Sequence, residues 1–194
     1  AGATQWEWHS YMTLASNPRI AGTCTLQNLG SNDIHMTEDG GQSHQIGGLV
    51  VNGAKLSFKG QDDSPVEGSS TLTITGNLTI NGGIFQIEED GELPAVGTTN
   101  KNNIVVNGNF TMTGGSFDLN GGAVNGNQGV NELHIKGNMN ISGGTMQQNN
   151  AGAGGSLPWQ AVRFNGTGTQ TYTESGAFTI NEFAYYVPSG STLQ

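Results

Sequence analysis

The sequence predicts an all-β fold, a right-handed parallel β-helix (solenoid) of about six rungs, from three observations. A sixteen-residue motif occurs three times without a gap, apolar and polar residues alternate within it, and glycine recurs between the alternating segments. The copies are LTITGNLTINGGIFQI (72–87), IVVNGNFTMTGGSFDL (104–119) and LHIKGNMNISGGTMQQ (133–148). Each copy therefore predicts three short strands separated by two glycine corners.

The alternation places one set of apolar side chains on a common face, because successive residues of a strand point to opposite sides. The predicted interior set is Leu72, Ile74, Leu78, Ile80, Phe85, Ile87, Ile104, Val106, Phe110, Met112, Phe117, Leu119, Leu133, Ile135, Met139, Ile141 and Met146. One rung cannot bury such a face alone, whereas stacked rungs enclose a continuous apolar interior. Separate antiparallel hairpins are the weaker alternative, because a meander gives no reason for both corners to recur.

The first corner of each copy is a Gly-Asn pair. These pairs are Gly76 and Asn77, Gly108 and Asn109, and Gly137 and Asn138. Glycine is expected there because a sharp bend favours a residue that tolerates positive φ. If rungs stack about 4.8 Å apart, the three asparagines lie above one another and their amides form a ladder. We interpret all six residues as structural.

Composition disfavours several classes of function. The 194-residue chain has a formal net charge of −9 and only six lysines and arginines, which argues against binding of nucleic acid or of an anionic membrane surface. No apolar run approaches the roughly 20 residues of a membrane helix, so membrane insertion is not predicted. The single cysteine, Cys24, allows no internal disulfide and shares a face with Leu26, which predicts a buried side chain.

The chain divides into two parts. Residues 1–45 lack the repeat and are predicted to form an N-terminal cap with irregular first rungs, whereas residues 46–194 form the repeat body. A cap is expected because a solenoid otherwise exposes an apolar rung at its end. Trp6 and Trp8 fit such a cap, and their alternative role is a sugar-stacking platform. The ending SGSTLQ resembles the entrance to another strand, so we expect the natural protein to continue beyond residue 194.

The residues between repeats fall at one edge of the predicted solenoid. They form segments 88–103, 120–132 and 147–161, which share little sequence. Insertions on one face of a solenoid are often its contact surface. We therefore expect contact with a partner protein or glycan at this edge or at the N-terminal aromatic residues. The candidate residues are Glu88, Glu89, Asp90, Glu92, Trp159, Trp6 and Trp8.

No catalytic, cofactor-binding or metal-binding set of residues emerges from the motif. A glycosidase needs two carboxylates across a groove, and the best pair here is Glu88 and Asp118, within one rung of each other. A solvated polar face is the alternative interpretation of that pair. The acidic run at 88–92 does not have the spacing of known calcium loops, and the four histidines lack ligand spacing. Enzyme activity is therefore not favoured, and no cofactor is predicted.

The phrase RFNGTGTQTYTESGAFTINEFAYYVPSGSTLQ, together with GNLTINGG, GNFTMTGG and GNMNISGG, resembles the large secreted and cell-surface repeat proteins of Bacteroidota-type gliding bacteria. The resemblance covers roughly residues 46–194. It implies a parallel β-helix, export by the type IX secretion system with the secretion machinery as partner, and an adhesin-like role in cell adhesion. It implies no catalytic motif.

The function predicted from the sequence is therefore that of a non-enzymatic, secreted or cell-surface structural or adhesin-like protein. The alternative is a carbohydrate-active β-helix, either a glycan-binding module or, less favoured, a polysaccharide lyase or glycosidase. The prediction of secretion rests on the resemblance. The prediction that the chain contacts a partner protein or surface glycan rests on the edge insertions.

Overall fold

The computed structural model describes residues 4–5, 19–27, 33–37, 43–59, 70–88, 101–119, 130–147, 161–181 and 184–194. Within these ranges all regular elements are β-strands, and every pairing between them is parallel. The strands are β1 (Thr4–Gln5), β2 (Arg19–Gln27), β3 (Asp33–Thr37), β4 (Ser43–Lys59), β5 (Thr71–Ile74), β6 (Leu78–Glu88), β7 (Lys101–Val106), β8 (Phe110–Met112), β9 (Ser116–Asp118), β10 (Val130–Ile135), β11 (Met139–Gln147), β12 (Ala161–Phe164), β13 (Thr169–Gln170), β14 (Tyr172–Asn181), β15 (Ala184–Tyr186) and β16 (Thr192–Leu193). The predicted parallel β-solenoid is confirmed.

Three consecutive rungs carry the complete motif. They consist of β5 with β6, of β7 with β8 and β9, and of β10 with β11. Leu72 pairs with Ile104, and Ile104 pairs with Leu133. In the same way Ile80 pairs with Met112 of the next rung. The gap-free alignment of the sequence copies is therefore also the register of the stacked strands.

The prediction of about six rungs needs correction, because the residues that the structure describes form about three regular rungs. Strands β2 and β3 continue the sheet on one side, and the register between β2 and β4 shifts. Strands β12, β14 and β15 continue it on the other side, with a shift between Ile141 and Gly143 where β11 meets β14. Strands β13 and β16 pair with each other in a separate two-stranded sheet. The flanking strands keep the apolar alternation but not the fixed corners. Because β2 and β3 precede residue 46, the sheet extends into the segment expected to form a cap.

The last rung differs from the regular ones at its first corner. Gly137 and Asn138 are adjacent, whereas four residues separate Gly166 from Thr171. The buried side chain of Gln170 fills this wider corner. Its Nε2 donates to the carbonyl oxygens of Ile135 and Gly137, and its Oε1 accepts from the Gly166 N–H at 2.7 Å. A glutamine side chain thus satisfies backbone groups at the corner that departs from the motif.

The interior of the solenoid is the predicted set of apolar side chains. Every member of that set is at most 1% exposed. Inside the stack, the ring of Phe117 contacts the rings of Phe85 and Phe110 edge to face, with centroids 5.5 and 5.6 Å apart. Cys24 and Leu26 are also buried, as predicted. Each large apolar side chain contributes roughly 1.5–3 kcal/mol by leaving water, so the interior dominates the stability.

The two corners of the motif use glycine for different physical reasons. At the second corner, the second glycine has a positive φ, namely 78° at Gly83, 77° at Gly115 and 94° at Gly144. At the first corner the glycines do not have positive φ. A Cβ added to Gly108 would instead lie 2.6 Å from the carbonyl oxygen of Gly76. The expectation that the Gly-Asn corner needs glycine for a positive φ is therefore wrong. Glycine is required there because the backbones of successive rungs stack too closely to leave room for a Cβ.

Candidate functional site

A ladder of hydrogen bonds joins the Gly-Asn corners of the regular rungs. The backbone N–H of Asn109 donates to Oδ1 of Asn77 at 2.9 Å, and that of Asn138 donates to Oδ1 of Asn109 at 2.9 Å. The N–H of Thr171 continues the series with Oδ1 of Asn138, also at 2.9 Å. The expected ladder of amide to amide bonds is thus replaced by bonds from backbone to side chain. Each asparagine satisfies an N–H of the following corner.

A second polar row lies inside the solenoid, at the start of the rungs. Ser70, Asn102 and Asn131 are fully buried and occupy the inward register positions two residues before Leu72, Ile104 and Leu133. Nδ2 of Asn102 donates to Oδ1 of Asn131 at 3.1 Å, and the N–H of Ser70 donates to Oδ1 of Asn102 at 3.3 Å. The row was not predicted from the sequence. Its signal is the 29-residue separation of the two asparagines, which equals that of two Gly-Asn corners.

Asp118 lies in a third polar row, on the last strand segment of the rungs. It pairs in register with Gln86 on one side and with Gln147 on the other. Nε2 of Gln147 donates to Oδ2 of Asp118 at 2.9 Å, and Nε2 of Gln86 donates to Oγ of Ser57 at 2.9 Å. Asp118 and Gln86 are buried. The interpretation of Asp118 as part of a solvated face is therefore wrong.

The predicted pair of carboxylates is not aligned in the stack. Asp118 pairs in register with Gln86, whereas Glu88 lies two residues further along β6 and pairs with Lys59. The backbone of Glu88 belongs to the described strand, and its side chain lies outside the described part of the structure. Register thus does not bring Asp118 and Glu88 side by side, as a pair of carboxylates on neighbouring strands would require.

A cluster of charged and polar side chains joins the third regular rung to the next one. It consists of Glu132, His134, Arg163, Asn165 and Tyr186, and we call it the Glu132 cluster. Glu132 is only 5% exposed, and its Oε1 accepts from Nη2 of Arg163 at 2.7 Å. The Arg163 guanidinium lies 4.4 Å from the centroid of the Tyr186 ring, a cation–π contact. The Glu132 cluster therefore connects β10, β12 and β15.

The electrostatics of the Glu132 cluster follow from its contacts. Burial by itself raises the pKa of Glu132, but the hydrogen bond and charge of Arg163, together with His134, outweigh burial and hold that pKa below its ordinary value. Arg163 in turn has a raised pKa, chiefly through the hydrogen bond to Glu132. Both side chains are charged at neutral pH, and their attraction compensates the cost of burying the carboxylate.

His134 is held between two partners. Its Nε2 lies 3.0 Å from Oε2 of Glu132, and its Nδ1 lies 2.8 Å from Nδ2 of Asn165. Because the Asn165 amide donates to Nδ1, these partners assign the proton to Nε2, which donates to Glu132. The Glu132 carboxylate thus accepts from both Arg163 and His134. The contacts favour a clasp between rungs over a group that reacts with a substrate.

The repeat alignment contains the signal for the Glu132 cluster. His134 and Arg163 occupy the same motif position as Thr73 and Val105, and they pair in register. Stacking therefore places an arginine beside a histidine, with Glu132 two residues earlier on the same side of β10. The spacing of metal ligands does not indicate the contact between His134, Glu132 and Arg163, because that contact depends on the stacking of two rungs.

The remaining predicted contact residues are not part of the described structure. They are Glu89, Asp90, Glu92, Trp6, Trp8 and Trp159. Contact at these residues stays a prediction. In the part of the chain that is described, no three His, Cys, Asp or Glu side chains are placed to hold a metal ion. The same ranges contain no helix long and apolar enough to cross a membrane.

Comparisons of the chain with protein-family models, with curated proteins and with solved structures found no match. The resemblance to secreted repeat proteins of gliding bacteria therefore stays a prediction. The described geometry consists of three polar rows and one charged clasp on a parallel stack. Chemically, this arrangement fixes the spacing and the register of successive rungs.

Proposed function

We propose that the chain is a non-enzymatic structural protein, secreted or displayed at the cell surface through the type IX secretion system, with an adhesin-like role. The observation that supports this most is the in-register stack of regular rungs, such as Ile74 on Val106 and Val106 on Ile135. Each rung is bonded to the next along the strands and along the corner asparagines. Such a body is stiff and holds the segments between its strands at a fixed spacing.

The described carboxylates support a structural role. Asp118 accepts from Gln147, and Glu132 accepts from Arg163 and His134. Both carboxylates are buried. A glycosidase requires two carboxylates that face a common groove and reach the substrate. Asp118 and Glu132 lie on β9 and β10, which do not pair with each other, and each is occupied by its neighbours.

The proposed partners are the secretion machinery during export and a surface glycan or protein afterwards. Segments 88–103, 120–132 and 147–161 differ from one another in sequence, whereas the rungs between them repeat. The last residues of these segments belong to β7, β10 and β12, where Asn102, Asn131 and Glu132 are buried, so they are not part of the proposed contact surface. Variable segments on a rigid scaffold are the usual carriers of recognition. We therefore propose contact through this edge, including Trp159 and the acidic run at 88–92.

Export and binding can be tested separately. An antibody against the chain should label intact cells of its source, and inactivation of the type IX secretion system should abolish that labelling. The purified chain should bind a glycan or a surface protein on arrays without turning over any of a panel of polysaccharides. Retention inside wild-type cells would contradict export. Steady turnover abolished by Glu88→Ala or Asp118→Ala would contradict the structural role, and binding lost in Trp6→Ala, Trp8→Ala or Trp159→Ala would favour the glycan-binding alternative.

A further inference from the structure

The first residues of β4 join the irregular strands to the first regular rung. Residues 43–46, which we call the His44 segment, pair one by one with residues 71–74 of β5. Among the described pairings, β2 meets this segment only at Gln45 and Ile46. The segment is therefore held mainly by one neighbouring strand, in contrast to the regular rungs between β5 and β10, which pair in full register on both sides.

The His44 segment places an imidazole in the apolar interior. His44 pairs with Leu72, is 2% exposed, and contacts the ring of Phe58 edge to face. Neither ring nitrogen has a hydrogen-bond partner among the residues that the structure describes. The neutral ring already gives up its hydrogen bonds to water in this position. A protonated ring would bury a charge and two unpaired donors, so the closed position tolerates the neutral form far better.

No charged side chain of the described interior is placed to stabilise a proton on His44. The charged and titratable residues of the strands around it occupy positions that alternate with the inward ones, so they belong to the outer face. These residues are Arg19, Asp33, His35, Lys55, Lys59 and Glu88. The described interior cluster includes one titratable group, the thiol of Cys24, and burial raises its pKa, so this thiol is neutral.

Thr75 fixes the end of the His44 segment to the next rung. Its N–H donates to the carbonyl oxygen of Ile46 at 2.9 Å, and its Oγ1 lies 3.2 and 3.3 Å from the carbonyl oxygens of Ile46 and Gly47. Gly47 and Gly48 follow the segment, and two successive glycines allow a wider range of backbone angles than other residues. From Leu49 onward β4 pairs with β6. A movement of the segment therefore ends at the two glycines.

We propose that the His44 segment is an acid-released part of the stack. When His44 takes up a proton, residues 43–46 leave β5, turn about Gly47 and Gly48, and expose the interior beside Leu72 and Phe58. In a solenoid each rung contacts only its neighbours, so the regular rungs stay stacked while this segment is open. The proposal concerns β4 and His44, and it is independent of type IX export and of the segments proposed for adhesion.

Hydrogen exchange of the 194-residue chain, read by mass spectrometry at pH 7.5 and 5.5 and corrected for intrinsic exchange rates, measures the opening. In the open segment His44 has its ordinary pKa of 6.5, so the population of the open form should rise about three- to tenfold between the two pH values. Peptides that cover residues 43–46 and 71–75 should lose protection by this factor, whereas peptides from residues 133–141 should not. An equal loss in all of these peptides would overturn the proposal, because the whole stack would then be opening.

Variants assign the proton to His44. His44→Leu and His44→Gln keep a neutral side chain and should remove the pH-dependent loss of protection. His35→Gln, at an outward position of β3, is the matched control and should keep that loss. A response that persists in His44→Leu, or that disappears in His35→Gln, would overturn the proposal. Circular dichroism verifies that each variant is folded.

Thr75→Ala separates the attachment of the segment from its titration. The variant removes the hydroxyl next to Ile46 and Gly47 but keeps His44. Exchange of residues 43–46 should become about two- to tenfold faster at both pH values, which corresponds to the loss of one hydrogen bond. The ratio between the two pH values should stay that of the parent chain. If Thr75→Ala left exchange of the segment unchanged, the proposed opening at Gly47 and Gly48 would be wrong.

Discussion

Oδ1 of Asn77 accepts a hydrogen bond from the backbone N–H of Asn109 at 2.9 Å, although the two residues are 32 positions apart in the chain. The same bond joins Asn109 to Asn138 across 29 positions. The bond lengths agree because the strands set the register of the stack. The number of residues between two corners can therefore differ, 32 in one case and 29 in the other, without changing the bond. The corner ladder is therefore a property of the stack rather than of any single rung.

Removal of one ladder acceptor tests this arrangement. Asn109→Ala leaves the Asn138 N–H without its acceptor, and we expect a loss of about 0.5–1.5 kcal/mol in the free energy of unfolding in urea. Asn107→Ala is the control, because Asn107 is exposed in the same rung and is not a member of the ladder. We expect the control to change stability by less than about 0.5 kcal/mol. Equal losses in both variants would contradict a role for the ladder.

The close stacking at the Gly-Asn corner predicts a large difference between two glycines. Gly108→Ala should destabilise the chain by about 1–3 kcal/mol, because the added Cβ would lie too close to the Gly76 carbonyl. Gly168→Ala should be nearly neutral, since nothing lies within 4 Å of an added Cβ there. Thermal unfolding followed by circular dichroism compares the two. A neutral Gly108→Ala variant would show that the corner can move apart.

The Glu132 cluster predicts energetic coupling between β10 and β12. Glu132→Gln, Arg163→Met and the double variant form a cycle, and we expect a coupling energy of about 0.5–3 kcal/mol between the two side chains. The folded-state pKa of Glu132 is below its ordinary value of 4.5. The charge of Glu132 therefore stabilises the fold fully above about pH 4.5, and this contribution is lost as the pH falls through the lowered pKa of the folded state. The coupling energy from the cycle should be smaller at acid pH, where Glu132 is protonated. If the stability losses of the two single variants simply add up to that of the double variant at neutral pH, the proposed clasp is contradicted.

His44 predicts acid sensitivity in a different pH range. Its side chain is 2% exposed, its ring contacts Phe58 edge to face at 6.1 Å, and neither ring nitrogen has a hydrogen-bond partner among the residues that the structure describes. Burial lowers the pKa of His44 below its ordinary 6.5, so the unfolded chain takes up a proton before the folded chain does. Stability is therefore complete above pH 6.5 and falls below it, by at most about 1.4 kcal/mol per pH unit, until the folded-state pKa is reached.

The variant His44→Leu isolates this effect, because His44 occupies the inward position that pairs with Leu72. Urea unfolding of the parent chain and of the variant at pH 7.5 and 5.5 gives the comparison. We expect the variant to lose less stability than the parent between the two values. Parallel losses would show that another group is responsible.

Alternation was sufficient to predict the interior of the regular rungs, because Leu72, Ile80 and Phe117 follow the period of a strand and are all fully buried. It was insufficient for His44, where the inward position holds a polar ring. The contact of Glu132 with Arg163 was also missed, because a partner one rung away becomes visible only after the insertions have been removed from the alignment. The sequence could not distinguish the two roles of glycine, because both the positive φ at Gly83 and the close approach of the Gly76 carbonyl to Gly108 require the same residue type.

The register between Ile104 and Leu133 has a consequence for chain length. These residues are equivalent points of successive rungs, so duplication of residues 104–132 would introduce exactly one additional rung. The body would lengthen by about 4.8 Å, while its width and its interior would stay unchanged. Duplication or deletion of whole rungs thus changes the length of the stack in steps of one strand spacing.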